Sequence, residues 1–580
     1  MKHFTYLITF LFIASMLVQA VQAQEYSFDK QLTRSGYDAT TVHDWSDSSR
    51  IKLSEPTLAY INLVDNSHFP TTRASRHHDW LEFYDGEGNY FRKRVTIKLQ
   101  GRSSIYYPKQ NLSLDFYDGE WDGEEQPDIS FGNWVKQDGF HLKAFYTDWF
   151  RGISIVNYKL YRDIEKTLPK EQNRYWKRFG ITDGNDARCY PDGFPVILYF
   201  NGDFYGIYTL SLKKHRRNMD MEKQNPLHIH LDGELSTNSV FTRNVNWTLF
   251  EIRNPKDILT DALTGEPYDN DNPSEPAACE TKDSILSLAF SQHNFWEVVA
   301  RIDSTQMREV IADRFDLQGV IDYILYSSVN NNQDGFYYNW QWFTYDGHRW
   351  CVAPYDMDCT YGAYAHGGVI TPPFVNLQLS GLSGHGVRWV WAYYQDELRA
   401  RYAELRRSDV FSASHISRLA SDWMDRIGQD FFDMEWSRWP NSPCIGTTVC
   451  NDGWQQINDW TDYSSLPKWS DTITYHPGDR CRLSEAIWEA TSITTGVRPY
   501  VALRHQDSLE RLTDWIDERI RLLDEMFGYD PSQEESIESL QPDASQSDSN
   551  SSPHYDCYGR RIKADASGLH LMRGRKVFVR

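Results

Sequence analysis

A chain of 580 residues with a formal charge of −21 has no basic face to offer a nucleic acid, and its length suits roughly four domains of about 150 residues each. Eight cysteines in so long a chain cannot form a disulfide scaffold. The aromatic content of 15%, with 21 Trp, exceeds what a core requires and leaves two readings open, rings that stack on sugars or a large aromatic core.

The first 23 residues read as a secretory signal: Lys2 and His3, an apolar run from Phe4, then Val21-Gln22-Ala23 as a small-residue cleavage site. No Cys follows for a lipid anchor, and no later stretch is long enough to span a bilayer, so an exported chain without a transmembrane anchor is expected. Residues 24–54 form an N-terminal extension. Cys444 and Cys450 are the nearest candidate disulfide pair, Cys351 and Cys359 the next, and neither spacing demands a bond.

From Glu55 to Phe116 apolar and polar residues alternate, as in antiparallel strands. Within this run RVTIKLQGRSSIYYPKQNLSLDF places a Gly/Ser turn with Ser103 and Ser104, then Lys109, between two strands. Backbone N–H groups and hydroxyls of such a turn can meet phosphate oxygens and Lys109 can add a point charge; an ordinary hairpin loop has the same pattern. Next, GFHLKAFYTDWFRGISIVNYKLYRDIE gives a strand with Lys143 and an amphipathic helix from about Arg151, with Asp148 where a cap belongs. A cation in a first helical turn is unfavourable, so Arg151 calls for an anionic partner. VILYFNGDFYGIYTL reads as a hairpin about Asn201-Gly202 with type I′ chemistry. His228 and His230 share one strand face, and no third ligand stands near enough in sequence to make them a metal site.

The stretch FDLQGVIDYILYSSVNNNQDGFYYNWQWFTYDGHRWCVAPYDMDCTYG, residues 315–362, organises the chain. Leu317, Val320, Ile321, Ile324 and Leu325 mark a helix that should stop at Asn330-Asn331-Asn332. Two aromatic runs joined by Asp346-Gly347 then predict a hairpin that returns the chain to its starting point. Asp334 and Asn339 should therefore meet Asp356 and Asp358, a convergence of like charges that a cation must offset. Oxygen ligands without Cys or His suit Mg²⁺ or Mn²⁺. Protein kinases likewise place a catalytic Asp, an Asn five positions on, a hairpin and a metal-binding Asp, although His-Arg before Asp334 and Phe-Gly after Asp356 are absent.

GRSSIYYPKQNLSLDF, LKAFYTDWFRGISIVNYKL, VILYFNGDFYGIYTL, NNNQDGFYYNW and APYDMDCTYG, in this order, resemble the blocks of the spore-coat CotH kinase family. The resemblance implies an α+β, two-lobed atypical protein-kinase-like fold over 55–435, completed by a helix at 501–530. It further implies ATP with Mg²⁺ or Mn²⁺ and phosphate transfer to hydroxyls of exported proteins. Asp334 would be catalytic, Asn339, Asp356 and Asp358 metal ligands, and Lys109, Ser103, Ser104, Lys143 and Arg151 nucleotide-binding. Leu212 stands where many members of the family have a Glu. If that Glu pairs with the phosphate Lys, a catalytically inactive surface protein that binds carbohydrate or envelope partners stays open on the same scaffold.

Between the helical stretch ending near Trp436 and the last helix lies a Trp-rich insert, 436–500, whose segment WSDTITYHPGDRCRLSEAIWEATSITTGVRP is similar to small chitin- and cellulose-binding modules. Polysaccharide is thus a second expected partner, and Trp residues packing a β-module the plainer alternative. Residues 531–553 are an acidic, Ser-rich linker too poor in apolar residues to fold. The tail 554–580, with Gly559-Arg560-Arg561, Gly568-Leu569-His570-Leu571 and Gly574-Arg575-Lys576-Val577, resembles the small β sorting domain of the type IX secretion route.

Overall fold

The computed structural model describes residues 27–34, 43–44, 50–64, 70, 72, 75–101, 104–117, 129–178, 188–223, 225–232, 251–254, 304–332, 335, 339–363, 371, 373, 386–444, 453–457, 462–483, 486–499, 507–532, 554–556, 561–562, 568–572 and 575–579. The signal segment, nearly all of the expected linker, Asp334, Ser103 and Cys450 lie outside the described residues. Residues 1–528 form one compact unit and 529–580 another.

The first half of the chain builds a barrel. Strands β1 (Ala59–Val64), β2 (His77–Tyr84), β3 (Asn89–Gln100), β4 (Asn111–Tyr117) and β5 (Gly139–Lys143) are followed by helix α1 (Ile153–Lys166) and by β6 (Gly193–Phe200) and β7 (Asp203–Ser211). They pair in the order β3-β2-β1-β6-β7-β5-β4, and β4 pairs back to β3. Closure removes the edges that an open sheet would expose. Within this ring of seven strands β1 and β6 run parallel, and the short strand His43–Asp44 adds to β3 in parallel. Alternation decides which side chains fill the interior: Leu112, Leu114, Phe140, Leu142, Tyr208 and Leu210 point in with Ile61, Phe83, Val95 and Leu198. Leu212 joins this core.

The turn at Asn201 and Gly202, with φ of 50° and 88°, is the expected two-residue hairpin. One step later β7 bulges between Phe204 and Gly206.

Strands β8 (Ile229–Asp232) and β9 (Glu251–Asn254), helices α2 (Ser304–Arg314) and α3 (Leu317–Asn330), and strands β10 (Trp340–Thr344) and β11 (Cys351–Pro354) come next. The four strands form a second sheet, β9-β8-β10-β11. Helix α3 ends with Asn331 in the left-handed conformation, as three consecutive Asn residues suggest. The hairpin is wider than a two-residue turn, because Asp346 Oδ1 accepts from the amides of His348 and Arg349, both at 2.8 Å, and stretches the loop to Trp350.

Helices α4 (Gly386–Tyr393), α5 (Gln395–Arg407), α6 (Ala413–Ile427) and α7 (Gln429–Arg438) follow, and α8 (Leu509–Phe527) closes the first unit. The class is α+β, as expected. Between α7 and α8 short strands at 454–457, 480–483 and 486–490 form a three-stranded sheet with its own core of Trp454, Tyr475, Cys481 and Trp488. Its outermost helical neighbours are not part of it: Trp436 stacks under the Arg151 guanidinium, 4.6 Å from its centre, and Trp439 Nε1 donates to Tyr205 O. The excursion is pinned at its base, where Asp507 N donates to Cys444 O at 3.1 Å. In the second unit four strands, His554–Asp556, Arg561–Ile562, Gly568–Met572 and Arg575–Val579, form an antiparallel sheet. Among the described residues no helix is long and apolar enough to cross a membrane.

Candidate active site

The hairpin register, Trp340 opposite Pro354, puts the buried Asn339 and Asp356 at the same end of the β10–β11 pair, as the sequence predicts. Asp356 adopts a left-handed φ of 51°, uncommon for a residue with a side chain and found where surroundings impose it. Its amide donates to Tyr158 Oη at 3.1 Å. Burial first, and then the charges of Asp356 and Asp358, push the Tyr158 phenol well above its usual value, so both carboxylates lie near one hydroxyl. Tyr107, from the Gly/Ser loop, is pushed up to about 12 by burial and next by Asp358, which brings that loop beside the second carboxylate. A small pocket joins Asp358 to Asp148, Asp507 and Arg511.

Asn157 of α1 ties the loop of Asp356 and Asp358 to the end of α3. Its buried Nδ2 donates to Met357 O at 3.2 Å and Thr360 Oγ1 at 3.0 Å, while its Oδ1 accepts from Asn330 Nδ2 and Tyr361 Oη. Tyr361 N donates to Asn330 O at 2.7 Å, fastening the loop after Asp358 to the end of α3. On the other flank of Asp334, Gly335 donates to Asn332 Oδ1 at 2.9 Å and accepts from Tyr323 Oη. Sequence reasoning missed Asn157; its neighbourhood inside a helix block gave no sign of a long-range amide.

Lys109 and Arg151 lie deeper than the sequence suggests. The Lys109 side chain is fully buried, and its three Nζ hydrogens face three acceptors: Glu435 Oε1 at 2.6 Å, Ala144 O at 3.3 Å and Ile207 O. None is left over for a phosphate in this conformation. Arg151, at φ 55°, donates Nε to the same Glu435 oxygen at 2.8 Å and Nη1 to the carbonyls of Phe145, Tyr146 and Asp148. It stands before α1 rather than in its first turn, and Asp148 Oδ2 caps the helix by accepting from Gly152 and Ile153, each at 2.7 Å. Burial pushes Asp148 up to about 6 against those donors. The anion that Arg151 requires, and the partner sought for Lys109 near Leu212, is therefore Glu435 of α7, whose Oε2 also accepts from Ile207 N. Burial lowers the Lys109 ammonium to about 7, with Glu435 opposing and Arg151 adding to the shift. Gly206 leaves room for this packing: a Cβ there would come 2.8 Å from Glu435 Oε2 and 2.9 Å from Lys109 Cε.

The cations that face the acidic loops lie instead on the outer face of the barrel. Cross-strand register aligns Lys98, Ser113, His141 and Ser211 on β3, β4, β5 and β7. Lys143, next along that face, approaches Asp356 Oδ1 at 4.0 Å. Asp115 pairs with Lys98 at 3.3 Å and with Lys213, while Lys214 reaches Asp232 at 2.6 Å and the face of Tyr355. Burial, then Lys143, Lys213, Lys214 and Lys98, hold His141 well below its usual value and hence neutral. Ser211 Oγ is buried with no hydrogen-bond partner among the described residues. Ser104 sits in the adjacent loop, accepting from Asn111 Nδ2 at 3.2 Å.

Among the described residues no three His, Cys, Asp or Glu side chains are grouped closely enough to hold a metal by themselves. The donor chemistry nonetheless fits Mg²⁺ or Mn²⁺: Asp356 and Asp358 offer carboxylates and Asn339 a carboxamide oxygen, and such ions take few protein ligands and complete their shell with phosphate and water. His230 is not part of such a site, being buried with Nε2 2.8 Å from Gln341 Oε1. Cys351, Cys359 and Cys444 are free thiols, so the candidate pair 351–359 is not bonded; burial protects Cys351.

Residues 97–465 match the family model described as CotH kinase protein, which makes this a kinase-like protein. The chain belongs to the CotH kinase family. The matched segment spans Lys109, Lys143, Arg151, Asn157, Asn339, Asp356, Asp358 and Glu435 but not α8 or the tail. No curated protein matches the chain.

Proposed function

We propose that this chain is an exported phosphotransferase of two lobes, barrel and helical, that moves the γ-phosphate of ATP to Ser, Thr or Tyr hydroxyls of other exported proteins. The observation that supports it most is the approach of Lys143 to Asp356 at the end of the β10–β11 hairpin, with the Asp356 loop fastened to the end of α3 through Asn157. The chemistry that Mg²⁺ or Mn²⁺ would supply there is neutralisation of phosphate charge. Asp356, Asp358 and Asn339 would hold the ion. Asp334 would orient the acceptor hydroxyl and take its proton, and Lys143, Lys213 and the Ser104 loop would offset phosphate charge. Glu435 keeps Lys109 and Arg151 in place beneath that surface. Export by the signal segment, with the tail as a type IX sorting signal, belongs to the same proposal, as does polysaccharide binding by the insert.

Incubation of the mature chain with labelled ATP, Mn²⁺ and a secreted-protein extract tests it. Label should pass to proteins with the wild type and fall by orders of magnitude with Asp334→Ala; equal labelling by both would remove Asp334 from its role. A second reading, a non-catalytic surface protein, draws on the Lys109 ammonium, whose hydrogens are all engaged inside the protein. Absence of label from either chain, with no thermal shift from Mn²⁺ and ATP, would favour it.

A further inference from the structure

Helix α8 lies beyond the segment matched to the family, yet it grips the backbone on which the acidic loops are mounted. Three residues at four-residue spacing, Arg511, Trp515 and Arg519, form one stripe. Arg511 Nη1 donates to Tyr361 O at 2.6 Å while Nε and Nη2 hold Asp507 at 2.7 and 2.9 Å. Trp515 Nε1 donates to Thr371 O at 2.8 Å, and its ring meets Tyr361 edge-on at 6.1 Å. Gly362, at φ 84°, makes the approach possible, since a Cβ there would lie 2.5 Å from that indole nitrogen. Arg519 donates Nε to Ser328 O at 2.8 Å, and its Nη1 and Nη2 reach Pro373 O at 3.3 Å and Asn331 Oδ1 at 3.4 Å.

Ser328 belongs to the last turn of α3 and Asn331 is its cap, where carbonyls lack helical partners and the helix dipole favours a cation. Asp334 follows three residues after that cap. Arg519 is wholly buried, and burial lowers its pKa to about 9, so the guanidinium occupies a place where an apolar side chain would pack at less cost. Two of its contacts end on the α3 terminus and the third on Pro373 of the strap after Asp358, where those of Arg511 and Trp515 also end.

We infer that Arg519, with Trp515 and Arg511, is a positioning residue that aims the end of α3, three residues ahead of Asp334, and the loop of Asp356 and Asp358 by holding their backbone from α8. The inference rests on the phosphotransferase reading, and its test separates the two. In the full mature chain, wild type is compared with Arg519→Met, Arg519→Lys and Trp515→Phe, the last removing the indole hydrogen bond together with one ring of the side chain. Two readouts are taken: steady-state transfer from ATP with Mn²⁺, and amide hydrogen exchange.

For Arg519→Met, kcat should fall by about 100-fold with the KM for ATP within about 3-fold, a split expected of misaimed groups rather than of lost binding. Arg519→Lys should recover part of kcat, and Trp515→Phe should show a smaller loss. Exchange should quicken by about 10-fold or more in peptides spanning 327–339 and 359–363, while barrel peptides spanning 194–200 stay as in wild type. Unchanged exchange at 327–339 in Arg519→Met, or a KM that rises as much as kcat falls, overturns the inference. A chain with no transfer activity at all overturns the phosphotransferase reading, and the exchange pattern then decides alone whether α8 holds the loops.

Discussion

One oxygen of Glu435 accepts from both Lys109 Nζ, at 2.6 Å, and Arg151 Nε, at 2.8 Å, and all three side chains are fully buried. A carboxylate shared in this way is the counter-charge for two cations that have no access to water. Glu435→Gln should therefore destabilise the chain by about 3–5 kcal/mol, the cost of leaving buried charge uncompensated. Denaturant titration checks this, and a cycle with Lys109→Met should show strong coupling; additive losses would mean that the two groups act separately.

Gly206→Ala probes the same place without touching a charge. Its Cβ would press on Glu435 Oε2 and Lys109 Cε, so a loss of about 1–3 kcal/mol is expected from overpacking. A melting temperature equal to that of wild type would show that the α7–barrel contact can yield.

Lys143, rather than Lys109, should govern nucleotide affinity, because its ammonium approaches Asp356 on the barrel's outer face while Lys109 is saturated. Lys143→Met should lessen the rise in Tm produced by Mn²⁺ and ATP, in keeping with roughly 10-fold weaker binding. Lys109→Met should lower Tm with and without ligand alike. The opposite ranking would return the phosphate role to Lys109.

Acid should unfold the protein partly through its buried imidazoles. Burial lowers His230 from 6.5 to about 4, and His141 and His215 are lowered as well. With the folded value below the unfolded one, the unfolded chain takes the proton first. The imidazoles' contribution to stability is thus whole above about pH 6.5 and is lost as pH falls towards 4, by roughly 3 kcal/mol for His230 alone. His230→Gln, which can still pair with Gln341, should flatten that part of the stability–pH curve; an unaltered curve would assign the loss to other groups.

Trp488 is 4% exposed in the core of the inserted sheet, where a sugar-stacking role had seemed open from sequence. Trp488→Ala should cost the module about 3–5 kcal/mol and speed exchange across 454–490, with Ile207 unaffected. Any loss of chitin or cellulose binding in this variant would then report unfolding, so the binding test calls for substitutions outside the module's core.

Local chemistry made much of this architecture legible. Asn201-Gly202 announces its turn, three Asn residues stop α3, and a hairpin between Asn339 and Asp356 follows from aromatic runs and turn residues close in sequence. The charge at Arg151 even signalled that an anion was missing. Its identity was out of reach, since Glu435 lies 326 residues from Lys109 and looks like any acidic residue on an amphipathic helix. The row of Lys98, Ser113, His141 and Ser211 was hidden for a related reason: four strands each supply one member, and only their register aligns them. The wide loop after Tyr345 was missed because Asp346 bonds to two later amides, which a dipeptide rule does not anticipate.

The hydrogen bond from Asp507 to Cys444 means that the chain departs for the Trp-rich module and comes back through a single doorway. Evolution or an engineer could exchange whatever is threaded between those two residues, for a short Gly-Ser bridge or for a foreign domain, while the two flanking helices keep their places. The insert is in that sense a cassette, and the same kinase-like chassis could display other passengers there.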